Sequence, residues 1–442
     1  MKIQVARLVK LFPFHRAPRP YQVSLETGFL PTKTPLDRLS SVKHAPWENI
    51  FDQLPSLISA SQVRASIIAL PVLNCDELAT VEEYRRAYAI LSLLTNAYIW
   101  NGPSPSDYLP PCIVVPLLEV ANVLHTKPLV TYAAIVLWNF RIRFHTPSTH
   151  NVEALGTFTG SEDESWFVAI MVAIETQGGK CIALLLKIIS AKELKDDESL
   201  FDYLEKLHQR LQQIQKTLLR LYERCSPDVL YHRIRPYHAG FGGTSNKELP
   251  KRVRYVKDFS ELGSTPCRQF IGGSGAQSTL LQCFDIILGV QHVGLLSDTA
   301  GTITRSLVGK GLPSDSNGDI GFQSRMREYM PGPHKQFLKK LSEYPSVRGY
   351  LQTRPANPSS TAAFSRTIAS VCASRSAHIQ IATRYIIIPA RSEERAKVQR
   401  NGISNAQEKA GYGQETIMGT GGTSTLPLLR RMRDETSGVG TR

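Results

Sequence analysis

Residues 364–389 read FSRTIASVCASRSAHIQIATRYIIIP, and this stretch indicates the fold class of the chain. Its apolar side chains recur every three or four residues, the spacing that places them on one face of an α-helix. The members of this face are Ile368, Val371, Ala373, Ala377, Ile381, Ala382, Tyr385 and Ile388. Because proline lacks the N–H group that a helix interior needs, we predict that Pro389 ends the helix.

A single histidine, His378, lies within this predicted helix, and Arg375 lies one turn before it on the same face. A lone histidine in a buried helix is more often a hydrogen-bonded core residue than a metal ligand. The neighbouring small residues would also give a flat, bulky group access to the imidazole, and Arg375 could pair with a carboxylate. These small residues are Ala369, Ala373, Ser374, Ala377 and Ala382. Both interpretations of His378 stay open on these residues alone.

Helical spacing recurs through the rest of the chain. Strong patterns cover Thr80 to Trp100 and Leu200 to Tyr222. Trp166 to Glu175 and Lys180 to Ile189 read as two buried helices that are apolar on most faces. Strict alternation of apolar and polar residues, which would indicate strands, is missing. We therefore predict an all-α protein.

The polar, glycine-containing residues 144–165 predict a domain boundary. We expect a small N-terminal α domain at residues 1–150 and a larger α-helical domain at residues 151–442. Within the larger domain, residues 293–324 resemble a mobile loop and residues 391–417 a polar connection between two structured parts.

The composition is that of a globular protein, with 442 residues, 42% of them hydrophobic. The net charge is +14, and the excess is concentrated in the N-terminal arm and in the run from Lys247 to Lys257. Nucleic-acid binding would require stacking aromatics between such charges, and that run contains only Tyr255. A solvated basic surface is the commoner arrangement, so we expect no nucleic-acid partner.

The seven cysteines are scattered singly, which fits a reducing compartment and argues against a disulfide scaffold. No apolar run approaches the roughly 18 to 20 residues that span a bilayer, so we expect a cytoplasmic protein without a membrane segment. The first 25 residues are basic and resemble an organelle-targeting presequence, but their three prolines break the helix that such signals form. H-E-x-x-H, G-x-S-x-G and C-x-x-C-H motifs are absent from the sequence.

Two glycine-rich segments precede predicted helices. The run from Gly272 to Ser278 opens a helix from Thr279 to Val290, and a glycine-rich helix start offers backbone N–H groups to an anion. The buried carboxylate of Asp285 on that helix needs a cationic or hydrogen-bonding partner, for which Arg375 is a candidate. The second segment, Gly419 to Thr423, is either a flexible turn or a backbone that closes over a small anionic ligand.

A further candidate is the pair Arg233 and Arg235, which lies beside Tyr231, Tyr237 and Gly240. Two arginines at this spacing could hold a carboxylate, although a surface ion pair is the default interpretation. The sequence around Gly309 and Lys310 does not complete a phosphate-binding loop.

Several long segments, in order along nearly the whole chain, resemble the indoleamine 2,3-dioxygenase family and above all its fungal members. The segments that carry the resemblance are LPP at 109–111, FIGGSGAQS at 270–278, QCFDIILG at 282–289, MREYMPGPH at 326–334, PSVR at 345–348, HIQIATRYIIIPA at 378–390 and GTGGT at 419–423. The resemblance implies a small and a larger α domain with a b-type haem between them.

The resemblance also implies roles for individual residues. His378 matches the proximal ligand of the haem iron, and Asp285 and Arg375 match a charged pair behind it, near a haem propionate. Ser274 matches a residue of the loop over the distal face of the haem. The residues that match substrate-binding positions are Phe167, which would stack on the indole, Met171, Arg235, which would hold the amino-acid carboxylate, Gly273 and Thr420.

The implied reaction inserts both atoms of O2 across the C2–C3 bond of an indole and converts L-tryptophan to N-formylkynurenine, the first step of the kynurenine pathway towards NAD. Ferrous haem would be the active state, no protein side chain would act as acid or base, and the protein would be a monomer. Met171 stands where the family usually has a serine, and Leu230 where it often has an aromatic residue. These departures keep open an alternative, a haem-binding paralogue that has weak activity or acts on another indole.

Overall fold

The computed structural model describes residues 19–143, 151–241, 253–292, 295–297, 303–305, 321–353, 357–400, 417, 419–420 and 425–440. Most of them are helical, so the predicted all-α class is confirmed. In the first part of the chain the helices are α1 (Ala45–Asp52), α2 (Leu54–Ser59), α3 (Val63–Ile68), α4 (Val81–Trp100) and α5 (Pro111–Val123), followed by a π-helix (Ala133–Leu137). Single 3-10 turns lie at Arg19–Tyr21 and Val42–His44.

Helix α4 confirms the pattern that was predicted from Thr80 to Trp100. The Thr80 hydroxyl accepts the Glu83 N–H, and the Glu83 carboxylate accepts the Thr80 N–H in return, so both side chains cap the first turn. Nearly every residue of α4 after this cap is buried. The helix is therefore the centre of the N-terminal core.

The second part of the chain contains the longest helices. They are α6 (Glu162–Leu194), α7 (Asp197–Leu219), α8 (Leu221–Arg224), α9 (Pro227–Val229), a π-helix (Leu230–Ile234), α10 (Arg235–His238), a 3-10 turn (Phe259–Glu261), a 3-10 turn (Gly275–Gln277) and α11 (Thr279–Leu288). They continue with α12 (Phe322–Arg327), α13 (Gly332–Leu341), α14 (Val347–Gln352), α15 (Pro358–Ala382), a π-helix (Thr383–Ile387), α16 (Ile388–Arg400) and α17 (Thr425–Gly440).

Helix α6 corrects the prediction of two helices on either side of Gly178 and Gly179. The two glycines do not end a helix, because α6 runs through them without a break. A Cβ atom on Gly179 would lie 2.5 Å from the backbone of Glu26, and one on Gly178 would lie 2.7 Å from the Leu280 side chain. The glycines therefore permit close approach of neighbouring segments, which a single sequence does not distinguish from a helix break.

The continuity of α6 also corrects the expectation that no apolar run is long enough for a bilayer. By length and composition alone, α6 is the one helix among the described residues that could cross a membrane. Two thirds of its most apolar window, however, is buried inside the protein. Burial among other helices explains the apolar character of this segment.

Helix α15 confirms the pattern at residues 364–382, but the prediction that Pro389 ends the helix is wrong. The chain widens into the π-helix Thr383–Ile387 and continues as α16, in which Pro389 is the second residue. Proline is tolerated in the first turn of a helix, where its missing N–H would have no intrahelical partner. Residues 391–400, predicted as part of a polar connection, are consequently helical.

The strands are only two or three residues long, too short to produce an alternating pattern in the sequence. They are β1 (Tyr108–Leu109), β2 (Phe140–Ile142), β3 (Val152–Ala154), β4 (Val253–Tyr255), β5 (Cys267–Arg268), β6 (Leu295–Ser297) and β7 (Ile303–Arg305). The small sheets have the orders β1-β4-β5, β2-β3 and β6-β7; only the β1–β4 pair is parallel. The antiparallel β6-β7 pair and the start of α12 both lie inside the predicted loop at residues 293–324.

The buried side chains form two large clusters and a small third one. The first surrounds α4 and draws mainly on residues 30–140. The second packs α6, α7, α11 and α15 together. The third lies between α6 and the end of α15 and includes Trp166, Ile170, Ile381 and Tyr385. The division into domains at residue 150 stays a prediction.

Candidate active site

Helix α11 brings the predicted ion pair together. Arg375 Nη2 on α15 donates to Asp285 Oδ1 on α11 at 2.5 Å, with 16% and 8% of the two side chains exposed. Arg375 Nη1 also donates to the carbonyl oxygen of Met432 on α17 at 2.7 Å, and the same nitrogen bonds the Thr436 hydroxyl. One guanidinium therefore joins three helices.

His378 lies one turn beyond Arg375 on the same helix. Protein surrounds its ring closely enough that burial, followed by the charge of Arg375, lowers its pKa below the usual value, so the imidazole is neutral at pH 7. The side chain is nevertheless accessible to solvent. Leu281, one turn before Asp285 on the otherwise buried α11, is likewise 44% exposed. His378 and Leu281 are thus solvent-exposed side chains on the two helices that the Asp285–Arg375 ion pair joins.

Phe167 and Met171 lie one turn apart on α6, so they share a face. Both are partly buried and pack against the third cluster, which contains Ile381 from the turn after His378. Leu230 packs against the same cluster. The tertiary structure thus joins the predicted indole-stacking residue to the helix of the predicted metal ligand.

Arg235 opens α10, and its guanidinium carbon lies 5.3 Å from the centre of the Tyr231 ring. Burial lowers the pKa of Arg235, and Tyr231 acts in the opposite direction. The His238 ring, one turn later, lies 6.0 Å from the Phe167 ring. This contact links the helix of Arg235 to the indole-stacking position, whereas Arg233 is exposed to solvent.

Three glycine-containing segments that are far apart in the sequence meet beside this helix. The Gly272 N–H donates to the Thr420 carbonyl oxygen at 3.2 Å. A Cβ atom on Gly272 would lie 2.1 Å from the His238 carbonyl oxygen and 2.4 Å from the Gly240 nitrogen, so only glycine fits there. The two predicted glycine loops and the Arg235 segment are therefore in direct contact.

The loop from Gly272 to Ser278 has a packed end and an open end. A Cβ atom on Gly273 would lie 2.4 Å from the Ile135 side chain, so Gly273 is packed against the N-terminal core. A Cβ atom on Gly275 would meet no atom within 4 Å. Ser274 stands between them, partly exposed, and its hydroxyl accepts the Ala276 N–H at 3.3 Å. The loop is therefore packed at Gly273 and open at Gly275.

Comparison with known proteins identifies the family of the chain. The family model described as indoleamine 2,3-dioxygenase matches residues 17–439. The chain is 37% identical to the indoleamine 2,3-dioxygenase of Saccharomyces cerevisiae, covering 94% of this chain and 92% of that protein.

The chain belongs to the indoleamine 2,3-dioxygenase family.

Two further relatives extend the comparison. An indoleamine 2,3-dioxygenase of Aspergillus nanangensis is 34% identical, over 94% of this chain and 95% of that protein. A 6-hydroxytryptophan 2,3-dioxygenase of Fusarium equiseti is 32% identical, over 94% and 96%. The chain is therefore a dioxygenase of a haem-dependent family, and its substrates are O2 and tryptophan or a related indole.

The residues around His378 fit the haem of an indoleamine 2,3-dioxygenase. A haem iron needs one neutral imidazole from the protein, and His378 offers one that is open to solvent. Arg375 provides a cation one turn away on the same helix, and Leu281 is an exposed apolar side chain on the helix to which Arg375 is paired. Among the described residues no group of three histidine, cysteine or acidic side chains gathers as a separate metal site.

Two sets of largely buried polar side chains near the candidate site were not predicted from the sequence. Glu175, on the same face of α6 as Met171, is 1% exposed and accepts hydrogen bonds from the Ser278 hydroxyl at 2.7 Å and the Tyr132 hydroxyl at 3.0 Å. Burial raises the pKa of Glu175 to about 7, although both hydrogen bonds lower it. The signal was present, since Glu175 is the acidic residue inside a long apolar run.

The second missed group is His292 with Glu435. His292 Nε2 lies 3.2 Å from Asp285 Oδ2, and its Nδ1 lies 2.7 Å from Glu435 Oε2 on α17. No motif in the sequence indicates this pair, because 142 residues separate the two side chains. Some predicted features, namely Gly309, Lys310, Gly421 to Thr423 and the run from Lys247 to Arg252, lie outside the described residues.

Proposed function

We propose that the chain inserts both atoms of O2 across the C2–C3 bond of L-tryptophan and forms N-formylkynurenine, with haem in the ferrous state. The observation that carries the proposal is the neutral, accessible imidazole of His378 on a helix that also lines the Phe167 and Met171 cluster. The relatives named as indoleamine 2,3-dioxygenases support the reaction class.

In this proposal each site residue has a defined task. His378 holds the haem iron, and the Arg375–Asp285 pair fixes the helix from which His378 projects. Phe167 stacks on the indole ring, while Met171 lines the apolar wall beside it. The haem supplies the site at which O2 is activated, which no protein side chain provides.

The remaining residues would orient the amino-acid end of the substrate. The guanidinium of Arg235 is preorganised by its contact with Tyr231 and would bind the carboxylate. Ser274, Gly273 and Thr420 belong to the joined glycine segments, which would cover the ligand and exclude water. Orientation and desolvation are then the protein's contribution, with no side chain acting as an acid or base.

Met171 and Leu230 favour a second candidate, weak turnover or a substituted indole. A thioether in place of a hydroxyl removes a hydrogen-bond donor from the candidate site, and leucine in place of an aromatic ring removes a stacking surface. A relative named as a 6-hydroxytryptophan 2,3-dioxygenase is consistent with substrate variation in the family. L-tryptophan remains the first candidate because His378, Arg235 and Phe167 are all present.

The test begins with the purified, haem-supplemented protein. We expect a Soret band that disappears in His378→Ala and persists in His232→Ala, whose imidazole is surface-exposed. The reduced protein, given O2 and L-tryptophan, should then release N-formylkynurenine. A Soret band without product from L-tryptophan, together with product from a hydroxylated tryptophan, would select the second candidate. Failure to bind haem would reject both.

The localisation, oligomeric state, partners and domain division of the protein are also part of the proposal. We infer a cytoplasmic monomer that has neither a nucleic-acid nor a membrane partner and whose chain divides near residue 150. The scattered cysteines and the burial of α6 support this setting. Size-exclusion chromatography with light scattering tests the monomer, and limited proteolysis tests the division.

A further inference from the structure

Three helices meet at a small network of charged side chains behind His378. Asp285 on α11 bonds Arg375 on α15, and His292, four residues after α11, bridges Asp285 to Glu435 on α17. Arg431, also on α17, lies 3.6 Å from the second oxygen of Glu435. His292 is thus the side chain that connects the α11–α15 pair to the carboxylate of α17.

The geometry around His292 offers the ring two carboxylate acceptors. Each ring nitrogen faces a carboxylate oxygen, Nε2 at 3.2 Å from Asp285 and Nδ1 at 2.7 Å from Glu435. A neutral imidazole carries one N–H, so one contact would set a nitrogen lone pair against a carboxylate lone pair. The protonated imidazolium donates to both. The charged form of His292 therefore donates to both carboxylates, whereas a neutral ring with its proton on Nδ1 donates to Glu435 alone and can accept from Arg375 Nη2, 3.3 Å from Nε2.

The charged groups around His292 agree with the protonated form. Burial lowers its pKa, but the hydrogen bonds to Asp285 and Glu435 outweigh burial and the repulsion from Arg375, so the pKa is raised. From α17 it is faced by Glu435 and Arg431, and from α15 by Arg375. The segment at residues 321–324 contributes no titratable side chain.

A small cavity gives the ring a route to solvent. Its volume is about 60 Å³, enough for a water molecule. The residues lining it are His292, Gly321, Phe322, Gln323, Ser324, Leu428, Arg431 and Met432. A proton can therefore reach or leave His292 without unfolding of the network.

Helix α17 connects this network both to the helix that carries His378 and to the glycine segments. Arg375 lies one turn from His378, so the position of α17 bears on the helix that carries the ligand. At its other end, α17 begins with Thr425, whose N–H donates to the Ile417 carbonyl at 3.2 Å. The Thr420 carbonyl in between bonds Gly272. Movement of α17 would therefore reach the glycine segments as well.

We propose that protonated His292 is a positioning residue that clamps Glu435 of α17 to the Asp285–Arg375 pair, and that this clamp weakens when His292 loses its proton. Its effect on haem rests on the proposed function, whereas the clamp itself does not. The clamp should be fully present just below pH 6.5, the ordinary pKa of histidine, and should weaken as the pH rises through the raised pKa of His292.

The first experiment is a double-mutant cycle on the full chain without haem, using His292→Gln, Glu435→Gln and the double variant. Near pH 6 we expect the two side chains to couple by about tenfold in the unfolding equilibrium constant, and near pH 9 by less than about threefold. His232 and Asp228, an exposed pair 3.6 Å apart, serve as the matched control and should show no coupling at either pH. Equal coupling of His292 and Glu435 at both pH values would overturn the proposal.

The second experiment measures haem release to an acceptor protein, followed by the Soret band. His292→Gln should accelerate release several-fold near pH 6 and leave it unchanged near pH 9. His292→Arg, which keeps a charge at both pH values, should retain slow release throughout. Acceleration that is the same at both pH values would overturn the proposal. If the wild-type chain binds no haem, the proposed function fails, and the double-mutant cycle still decides whether the clamp exists.

Discussion

Two arginine–carboxylate pairs, one between helices of the first large cluster and one between helices of the second, differ in how they are enclosed. In the N-terminal core, Arg86 and Glu48 are 2% and 1% exposed. Glu48 also accepts the Leu39 N–H, and the Arg86 guanidinium lies 4.7 Å from the Phe51 ring. We call this a closed pair, because both side chains are shielded from solvent and no histidine is among their partners in the described part of the chain.

The pair Arg375 and Asp285 is more open and extends further. Its hydrogen bonds continue to α17 and to His292, and its partners His292 and Met432 line a small cavity. A closed pair fixes the relative position of α1 and α4, whereas an open network can respond to a ligand or a proton. The difference indicates that the first pair serves the fold and the second serves the site.

The largest expected effect comes from breaking the closed pair. Glu48→Ala leaves Arg86 as a buried, uncompensated charge, so we expect a loss of about 3–5 kcal/mol in the free energy of unfolding. Urea unfolding measures it, with Glu77→Ala at the exposed surface as the control. A loss below about 1 kcal/mol would show that the core relaxes around Arg86 and that the pair is not closed.

The second-largest effect is expected at Glu175, which lies on the same helix as the candidate site residues Phe167 and Met171. Glu175 has a pKa of about 7 in the folded protein and about 4.5 as the reference value. Between pH 4.5 and about pH 7, the Glu175 carboxyl is ionised in the unfolded chain but still protonated in the folded chain. The free energy of unfolding should therefore fall as pH rises, by on the order of 3 kcal/mol.

Glu175→Gln should remove this fall, because the amide oxygen can still accept from Ser278 and Tyr132 and cannot ionise. Urea unfolding between about pH 4.5 and 7 measures the slope. Glu193→Gln, an exposed change on the same helix, should leave the slope as in the wild type. A slope that survives Glu175→Gln would assign the pH dependence to another group.

A smaller effect is expected where the glycine segments meet. Gly272→Ala would force its Cβ atom into the backbone of His238 and Gly240, at an expected cost of about 2 kcal/mol. Gly275→Ala, three residues away in open space, should change stability by less than about 0.5 kcal/mol. Thermal unfolding of the two variants compares them directly, and equal losses would mean that the two ends of the loop do not differ.

The smallest effect concerns the start of α4 in the N-terminal core. Thr80→Ala removes the cap on the Glu83 N–H and should cost about 1 kcal/mol, while Thr80→Ser should cost little. Neither change should alter haem binding, because α4 belongs to the N-terminal core and carries none of the candidate site residues. A shift of the Soret band in Thr80→Ala would contradict this separation of the two regions.

Much of the fold could be predicted because it depends on local periodicity. The patterns at Thr80 to Trp100 and at residues 364–382 each correspond to a helix. The errors arose at Gly178–Gly179 and at Pro389, residues that end helices in many contexts. A close contact with Glu26 explains the glycines, and a π-helix accommodates the proline.

Several residues of the candidate site could be predicted from the sequence, but most of the contacts between them could not. The Asp285–Arg375 pair could be predicted because a buried carboxylate needs a partner. His292 and Glu435 could not, since neither residue belongs to a motif and only folding brings them to the same network. The contact between Gly272 and Thr420 is likewise invisible in a sequence that separates them by 148 positions.

The sequence by itself determined the helical class, the family resemblance and the candidate roles of His378, Arg235 and Phe167. The helical class follows from spacing and residue type, which are local properties of the chain, and the candidate roles follow from the family resemblance. Tertiary structure alone decided that the His378 side chain is open to solvent, that the glycine segments touch, and that His292 stands between two carboxylates. The reason is physical: exposure, pKa and hydrogen bonding depend on which distant residues surround a group, and only the packed helices determine that.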